Sequence, residues 1–340
     1  MKNKVLHVMI AEKKFTLPLV DFILNELKLD NHRFLIFDNG IKISNESEKV
    51  SVIQTPFRNN LTRNFLLYRK LINNSDKIIL HSLHFLNLLL FFPFKWKIIS
   101  WVIHGADLYG RLNKSKQSIF EKLVISYFDR HITHIEGDAR LANEVFGSNA
   151  KFHYSPMYLS NVVETANFRI SNLKDSDYTL LLGNSLSKNN NHIAVLKKLK
   201  AHDNQLSKII CPLSYGNDLA YRDEVIGLGL KLFGEKFQPL TEFMPRTEYE
   251  KLLETVDIAL FDHWRQEAMG VTLSLLALGK TVYMRSATES FKSLINRGFK
   301  VFDNQILFEE GIRQQDVILN KKLLEKYYGI QTLKQSIKSL

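Results

Sequence analysis

Short apolar runs alternate with amphipathic stretches along most of the chain, the pattern expected of βα units built around a parallel sheet. In the first half, VLHVMI (5–10), RFLIFD (33–38), KVSVIQ (49–54), KIILHS (77–82), IISWVI (98–103) and HITHIEG (131–137) predict strands, with helical spacing over 15–28, 61–73, 115–128 and 138–146. Past FHYSPMY the period dissolves into a polar stretch, 159–177, which predicts a linker. The alternation restarts with YTLLLGNS (178–185), KIICPLSYG (208–216), FQPLTEF (237–243), VDIALFD (256–262) and TVYMR (281–285). Between these lie helical segments at 190–201, 217–233 and 246–255 and the apolar run VTLSLLALG (271–279). Residues 320–340 read as a helix ending in a basic tail, and no internal repeat or low-complexity tract interrupts the pattern.

The result is two doubly wound α/β halves of similar size, in keeping with 340 residues being more than one core usually fills. The predicted organisation is a Rossmann-like domain over 1–158, the linker over 159–177, a second Rossmann-like domain over 178–319, and a helix over 320–340 that crosses back to the first. Ligands of such sheets bind outside the carboxyl ends of the strands, so a central cleft between the halves is the expected site.

Composition narrows the class. With 45% apolar and 24% charged residues, this is an ordinary globular chain. Lys and Arg number 46 against 35 Asp and Glu, a formal charge of +11, which suits nucleic acid, an anionic membrane surface or a phosphorylated substrate. The basic residues are spread along the chain instead of clustering with aromatics, so nucleic acid is not an expected partner. The single cysteine, Cys211, excludes an internal disulfide framework and suits a reducing cytoplasm. The opening MKNKVLHVMIAEKKF has too short an apolar run for a signal peptide and reads as a first strand. FLNLLLFFPFKWK (85–97), interrupted by Pro93 and Lys95, is too short for a bilayer span, which takes ~20 residues. It predicts a core helix leading into a strand, or an apolar edge at a membrane interface formed by Phe91, Phe92, Lys95, Trp96 and Lys97.

Several chemical motifs fail on spacing. DSD (175–177) precedes a strand instead of following one. The His pairs of HSLH (81–84) and HITH (131–134) point to opposite faces of a strand, so no metal set emerges. Gly227, Gly229 and Gly234 do not form a dinucleotide fingerprint, and there is no Walker loop or G-x-S-x-G elbow. Three strand-end loops remain. WVIHGADLYGR (101–111) places His104 and Asp107 for acid–base work, or else for a satisfied core position and a helix cap. LLLGNSLSKNNNHI (180–193) opens a buried strand into Gly183, Asn184 and Ser185, where amides can approach a phosphate and Lys188 and His192 can add charge; Asn and Ser also cap helices without a ligand. FDHWRQEAMG (261–270) puts Arg265 beside a helix N-terminus, where a cation is unfavourable unless an anion binds.

At these loops the sequence resembles glycosyltransferase family 56, the bacterial transferases of 4-acetamido-4,6-dideoxygalactose that build enterobacterial common antigen. The resemblance rests on GADLY (105–109), GNS with NHI (183–185, 191–193), the P-x-x-Y of CPLSYG (212–215), Glu224, Tyr249 with the leucines at 252–253, and RQ with Gly270 (265–266, 270). It runs in family order over about residues 100–285, while the first hundred residues match only in pattern. It implies a GT-B architecture with an N-terminal acceptor domain, a C-terminal nucleotide-sugar domain, no metal or other cofactor, and an undecaprenyl-diphosphate-linked acceptor at the inner face of the cytoplasmic membrane. Gln266 and Ser274 stand where broader retaining GT-B families carry two acids, which leaves retention or inversion open.

The expected function is therefore transfer of a 4-amino-4,6-dideoxy sugar from a dTDP-linked donor to a lipid-linked oligosaccharide in surface-polysaccharide synthesis, by a peripheral cytoplasmic enzyme. Without a metal, helix N-termini and cations must stabilise the departing diphosphate, a role expected of Gly183, Asn184, Ser185, Arg265, Gln266, Met269, Gly270 and Val271. Asp107, then His104, is expected to deprotonate the acceptor, and Tyr215 and Glu242 to hold the nucleoside. A GT-B nucleotide-sugar 2-epimerase and a carbohydrate-binding scaffold are the alternatives.

Overall fold

The computed structural model describes residues 3–12, 15–38, 48–54, 64–112, 118–164 and 177–340. The chain divides into two compact units, Met1–Val162 with Ile330–Leu340, and Val163–Gly329.

In the first unit β1 (Val5–Ile10), β2 (His32–Asp38), β3 (Val50–Gln54), β4 (Lys77–His81), β5 (Ile99–Val102), β6 (Arg130–Thr133) and β7 (Lys151–Tyr154) form one sheet. Its order is β3-β2-β1-β4-β5-β6-β7, with every pair parallel. The crossovers carry α1 (Thr16–Asp21, running on as a π-helical turn to Glu26), α2 (Phe65–Asn73), α3 (Leu86–Leu89), α4 (Ala106–Leu112), α5 (Ile119–Ser126) and α6 (Glu136–Phe146). Both faces are covered, so the strands are apolar on both sides. Along β1, Leu6 and Val8 enter one core with Leu80 and Trp101, while Val5 and Met9 enter the other with Phe34 and Ile79.

The second unit repeats the plan. Its strands β8 (Tyr178–Leu182), β9 (Leu206–Pro212), β10 (Phe237–Leu240), β11 (Ile258–Phe261), β12 (Thr281–Met284) and β13 (Phe302–Asp303) follow the order β10-β9-β8-β11-β12-β13, again parallel. Its helices are α7 (His192–Leu199), α8 (Leu219–Phe233), α9 (Arg246–Thr255), α10 (Met269–Ala277), α11 (Glu289–Asn296) and α12 (Gln314–Tyr328). The apolar run after Arg265 is α10. It lacks a polar face because it is packed against both β12 and α12.

In both sheets the strand order reverses beside the first strand, at β1/β4 and at β8/β11. The carboxyl ends of those strands are the switch points where ligands of doubly wound sheets bind.

The sequence expectations need five corrections, the first being the two-residue strand β13, which no apolar run announces. Strand β7 was not expected: it is an edge strand with Lys151 and Phe152 exposed, so it carries no continuous apolar run. The β6 strand ends at Thr133, because α6 starts at Glu136. Helices α4 and α11 arise in segments without a long enough period to predict them. The single helix over 320–340 is instead α12 and α13 (Ile330–Lys338), divided at Gly329. A Cβ at Gly329 would lie 2.5 Å from the Glu325 carbonyl oxygen, so only glycine permits that break. Leu333 and Ile337 of α13 are buried in the first unit's core. Most of the expected linker, and two of the three DSD residues, lie outside the described residues.

Candidate functional site

The switch point of the second sheet brings together two of the loops singled out above. Gly183 leaves β8 at φ +67°, and a Cβ there would sit 2.6 Å from Asn190 Oδ1 and 2.9 Å from His192 Nε2, so the turn requires glycine. Asn190 Oδ1 accepts the Asn184 N–H at 3.0 Å and lies 2.7 Å from His263 Nε2, which is also 3.0 Å from Asn184 Oδ1. Facing two carbonyl oxygens, Nε2 must carry the proton. Burial lowers His263 to about 4, with the nearby Arg265 also opposing a charge, so the ring is neutral.

Two carboxylates tie the loops further. Asp262 accepts from Asn191 Nδ2 at 2.7 Å, Asn304 Nδ2 at 2.6 Å and Arg285 Nη2 at 2.6 Å. Glu267 Oε1 accepts from Arg265 Nε at 2.6 Å and Asn189 Nδ2 at 2.9 Å. Arg265 is thus fixed by its Nε, while its Nη groups make no hydrogen bond among the described residues. The helix it adjoins has no cap: Ala268 sits in the left-handed region at φ 57° and offers no side-chain oxygen to the first turn, Met269, Gly270 and Val271. Unsatisfied first-turn amides next to cations form an anion site.

Sequence reasoning missed the second cation. Arg285, the last residue of TVYMR, stacks 3.6 Å above the Trp264 ring and has a buried Nε without a partner among the described residues. Together with Phe261, His263, Arg265, Met284 and Ser290 it lines a recess. An arginine closing a strand next to a switch point was the available signal. Gln266 is partly buried in the same loop. Two expected charges are corrected: His192 is buried and lowered to about 4, hence neutral, and Lys188 is ion-paired to Asp218 at 2.7 Å. Tyr215 and Glu242 are exposed on the loops after β9 and β10, and the Tyr215 carbonyl accepts Leu186 N–H beside the Gly183 turn.

In the first unit, the switch point gathers Glu12 after β1, Ser82 and His84 after β4, and His104 and Asp107 after β5. Asp107 is buried, and both of its oxygens are used: Oδ2 accepts from the Trp101 indole at 2.8 Å, and Oδ1 from the His104 N–H at 3.0 Å and the Leu108 N–H at 2.9 Å. That bonding fixes the turn into α4 and departs from the free carboxylate expected of an acceptor base. His104 is partly exposed, its Nε2 lies 2.9 Å from Tyr158 Oη, and its Nδ1 has no partner among the described residues. Burial lowers its pKa, opposed by the charges of Asp107 and Glu12. The exposed Glu12 was not singled out in the sequence. Ser82 holds φ 82° and ψ 162°, a region rarely occupied except by glycine, and such strain clusters at functional sites.

The expected membrane segment divides. Phe91 and Lys97 are exposed, but Phe92 is buried against Phe65, Lys95 Nζ donates to the Asn73 and Ser75 carbonyls, and Trp96 donates to the Leu89 carbonyl. The residue that stands out is Phe94, 97% exposed, in the 93–98 turn; that turn packs against α5, on which Ile119, Phe120 and Leu123 are also exposed. Among the described residues no helix is long and apolar enough to cross a membrane.

A family model described as 4-alpha-L-fucosyltransferase, glycosyl transferase group 56, matches residues 5–325. Among solved structures, a glycosyltransferase from Rickettsia africae ESF-5 superposes with TM-score 0.70 at 13% identity, covering 99% of this chain and 97% of that one. Anabaena HepE in complex with UDP-glucose gives TM-score 0.66 at 14% identity, covering 99% of both chains. WaaG, a glycosyltransferase involved in lipopolysaccharide biosynthesis, gives 0.61 at 11% identity, covering 98% of both. The two-sheet architecture is the GT-B fold.

Proposed function

The chain belongs to glycosyl transferase group 56 and is a glycosyltransferase of GT-B fold, and from that premise we propose its substrates: a dTDP-linked 4-acetamido-4,6-dideoxy sugar as donor and an undecaprenyl-diphosphate-linked oligosaccharide as acceptor. The observation that carries the donor half is the uncapped start of α10 flanked by Arg265 and Arg285. In this reading the amides of Met269, Gly270 and Val271 and the free Nη groups of Arg265 receive the diphosphate as it departs. Preorganised donors of that kind stabilise developing charge without reorganising. Gly183, Asn184 and Ser185 close the other side, Gln266 contacts the sugar or phosphate from the same loop, and Tyr215 and Glu242 hold the nucleoside. The UDP-glucose complex of HepE supports a nucleotide-sugar donor for this fold. The residues assigned here ask for no metal or other cofactor.

Calorimetry with dTDP tests the site. Arg265→Ala should weaken binding by about 1.5–3 kcal/mol, the range for a hydrogen bond to a charged group. Unchanged affinity removes Arg265 from the diphosphate site. Transfer of radiolabel from dTDP-4-acetamido-4,6-dideoxygalactose to a lipid-linked acceptor tests the substrates themselves.

The acceptor half is assigned to the first unit, with His104 taking the hydroxyl proton and Asp107 positioning it. A lipid-linked acceptor requires approach to the inner membrane face. Phe91 and Phe94, exposed in the same segment as Lys97, and Ile119 and Phe120, exposed on the helix that packs against that segment, are the apolar side chains assigned to the interface, where each nearby basic residue adds about 1 kcal/mol against anionic lipid. Sedimentation with phosphatidylglycerol vesicles should show binding at low salt that weakens at high salt and falls further in Phe91→Ser/Phe94→Ser. A wild type that ignores such vesicles at low salt ends the membrane assignment.

A further inference from the structure

Hydrogen bonds traced inward from His104 do not stop at Tyr158. Tyr158 Oη lies 2.9 Å from His104 Nε2 and 2.6 Å from His81 Nδ1. His81 Nε2 lies 3.0 Å from His7 Nδ1, and His7 Nε2 lies 2.9 Å from His32 Nδ1. Each link is at hydrogen-bonding distance, and no ring nitrogen is used twice. His81 is the last residue of β4, His7 sits mid-strand in β1, and His32 is the first residue of β2. His7 pairs in register with Phe34 and Ile79, so the three imidazoles cross one face of the sheet diagonally, from its carboxyl edge to its amino end.

Packing does not explain this line. Position 7 lies between Val5 and Met9 on an apolar face and is fully buried, where an aliphatic side chain would need no partner. Instead the face carries three imidazoles and a phenol, each satisfied only by the next.

We propose that His104, Tyr158, His81, His7 and His32 form a proton relay that carries the acceptor's hydroxyl proton from the carboxyl edge of the first sheet to its amino end. This rests on the reading of His104 as the acceptor base. A neutral imidazole has one N–H and one lone pair, so the geometry allows only two proton arrangements. In one, all four histidines carry the proton on Nε2 and Tyr158 donates to His81; in the other, all four carry it on Nδ1 and Tyr158 donates to His104. In the first arrangement His104 Nδ1 is a lone pair. When it takes the acceptor proton, Nε2–H passes its proton to Tyr158 Oη, Oη–H passes its own to His81 Nδ1, His81 Nε2–H to His7 Nδ1, and His7 Nε2–H to His32 Nδ1. His32 then releases its Nε2 proton to water. One proton enters, one leaves, and the chain ends neutral in the second arrangement. Once product has gone, loss of the His104 Nδ1 proton to water and uptake of one at His32 Nε2 restore the first.

A relay suits this environment better than a stored charge. Burial holds His7 well below its ordinary value, His81 at about 3 and His32 at about 4, so an imidazolium at any of these positions is strongly disfavoured. Among the described residues, neighbouring charges act on the two ends: Glu12 and Asp107 on His104 and Tyr158, His84 on His104, and Lys77 on His32. A concerted shift never places a charge between them.

Two measurements decide the proposal. Nitrogen-15 NMR of histidine side chains in the protein alone, assigned with single His→Gln variants, should find His7, His32, His81 and His104 neutral and in one shared tautomer. Unlike tautomers among His7, His32 and His81 overturn the chain, and this readout needs no substrate. Turnover in H2O/D2O mixtures should give a bowed proton inventory for the wild type. Tyr158→Phe, which keeps the ring but removes the link, should lower turnover about tenfold or more and straighten the inventory to a single proton. Normal turnover in Tyr158→Phe, or a bowed inventory surviving in it, overturns the relay while the acceptor-base reading stands. An active His104→Ala rejects that reading and the relay with it.

Discussion

Replacing His104 by alanine is expected to lower turnover by roughly 10²–10⁴-fold while leaving dTDP affinity unchanged, the loss typical of removing a general base. A sugar hydroxyl gives up its proton as its bond to the donor carbon forms, and in the reading proposed above a side chain of the first unit takes it. Of the groups at the carboxyl edge of the first sheet, Asp107 has N–H donors on both oxygens, Glu12 is exposed, and His104 has an open Nδ1. A base works in its neutral form, and burial lowers the His104 pKa below its ordinary 6.5. Activity should therefore be flat through neutral pH and fall only in acid, as pH drops through that lowered value. Asp107→Asn should act through position instead: an amide NH2 would face the Trp101 indole or the His104 N–H, displacing the turn and lowering stability as well as rate. A His104→Ala enzyme with near-normal turnover shifts the base to Glu12, which Glu12→Gln then tests.

Much of the fold was legible because both sheets are parallel and buried on two faces, so their strands stand out as continuous apolar runs. The exceptions have separate causes. Lys151–Tyr154 is a half-exposed edge strand, and α12 and α13 read as one helix because only the close approach at Gly329 divides them. The donor loops were legible for a related reason: each follows a buried strand and opens into small or polar residues before a helix. What joins them was not. The bonds from Asn184 to His263, Asn189 to Glu267 and Asn191 to Asp262 connect residues more than 70 positions apart, and only the strand order at β8/β11 brings them together. His7 and His32 escaped notice likewise, and His81 was weighed only against His84 as a metal pair. Their significance lies in register, which one sequence does not display. The segment at 85–97 reads the same whether its aromatics face inward or outward, and the structure splits it, with Phe92 inside and Phe94 outside.

Asp262→Ala should cost about 3 kcal/mol of stability, the lower end of the range for breaking a buried ion pair by removing one partner. Asp262 is 7% exposed, and its carboxylate is the shared acceptor of Arg285, Asn191 and Asn304. Without it, a guanidinium and two amides lose their acceptor in a site that admits little water. The lower end applies because the Arg285 side chain is 19% exposed and keeps its stacking on Trp264. Urea denaturation should show the midpoint falling with the slope unchanged. Adding Arg285→Met to Asp262→Ala should return part of the loss, since the orphaned charge goes with it. Binding separates the two roles of the cluster. If Asp262 holds the β11 loop and Arg285 faces the donor, then Arg285→Met alone weakens dTDP with a modest loss of stability, whereas the double variant recovers stability without recovering affinity. A stability loss under about 1 kcal/mol in Asp262→Ala means that water replaces the carboxylate, and the loop is then held by the Asn190–His263 and Asn189–Glu267 bonds.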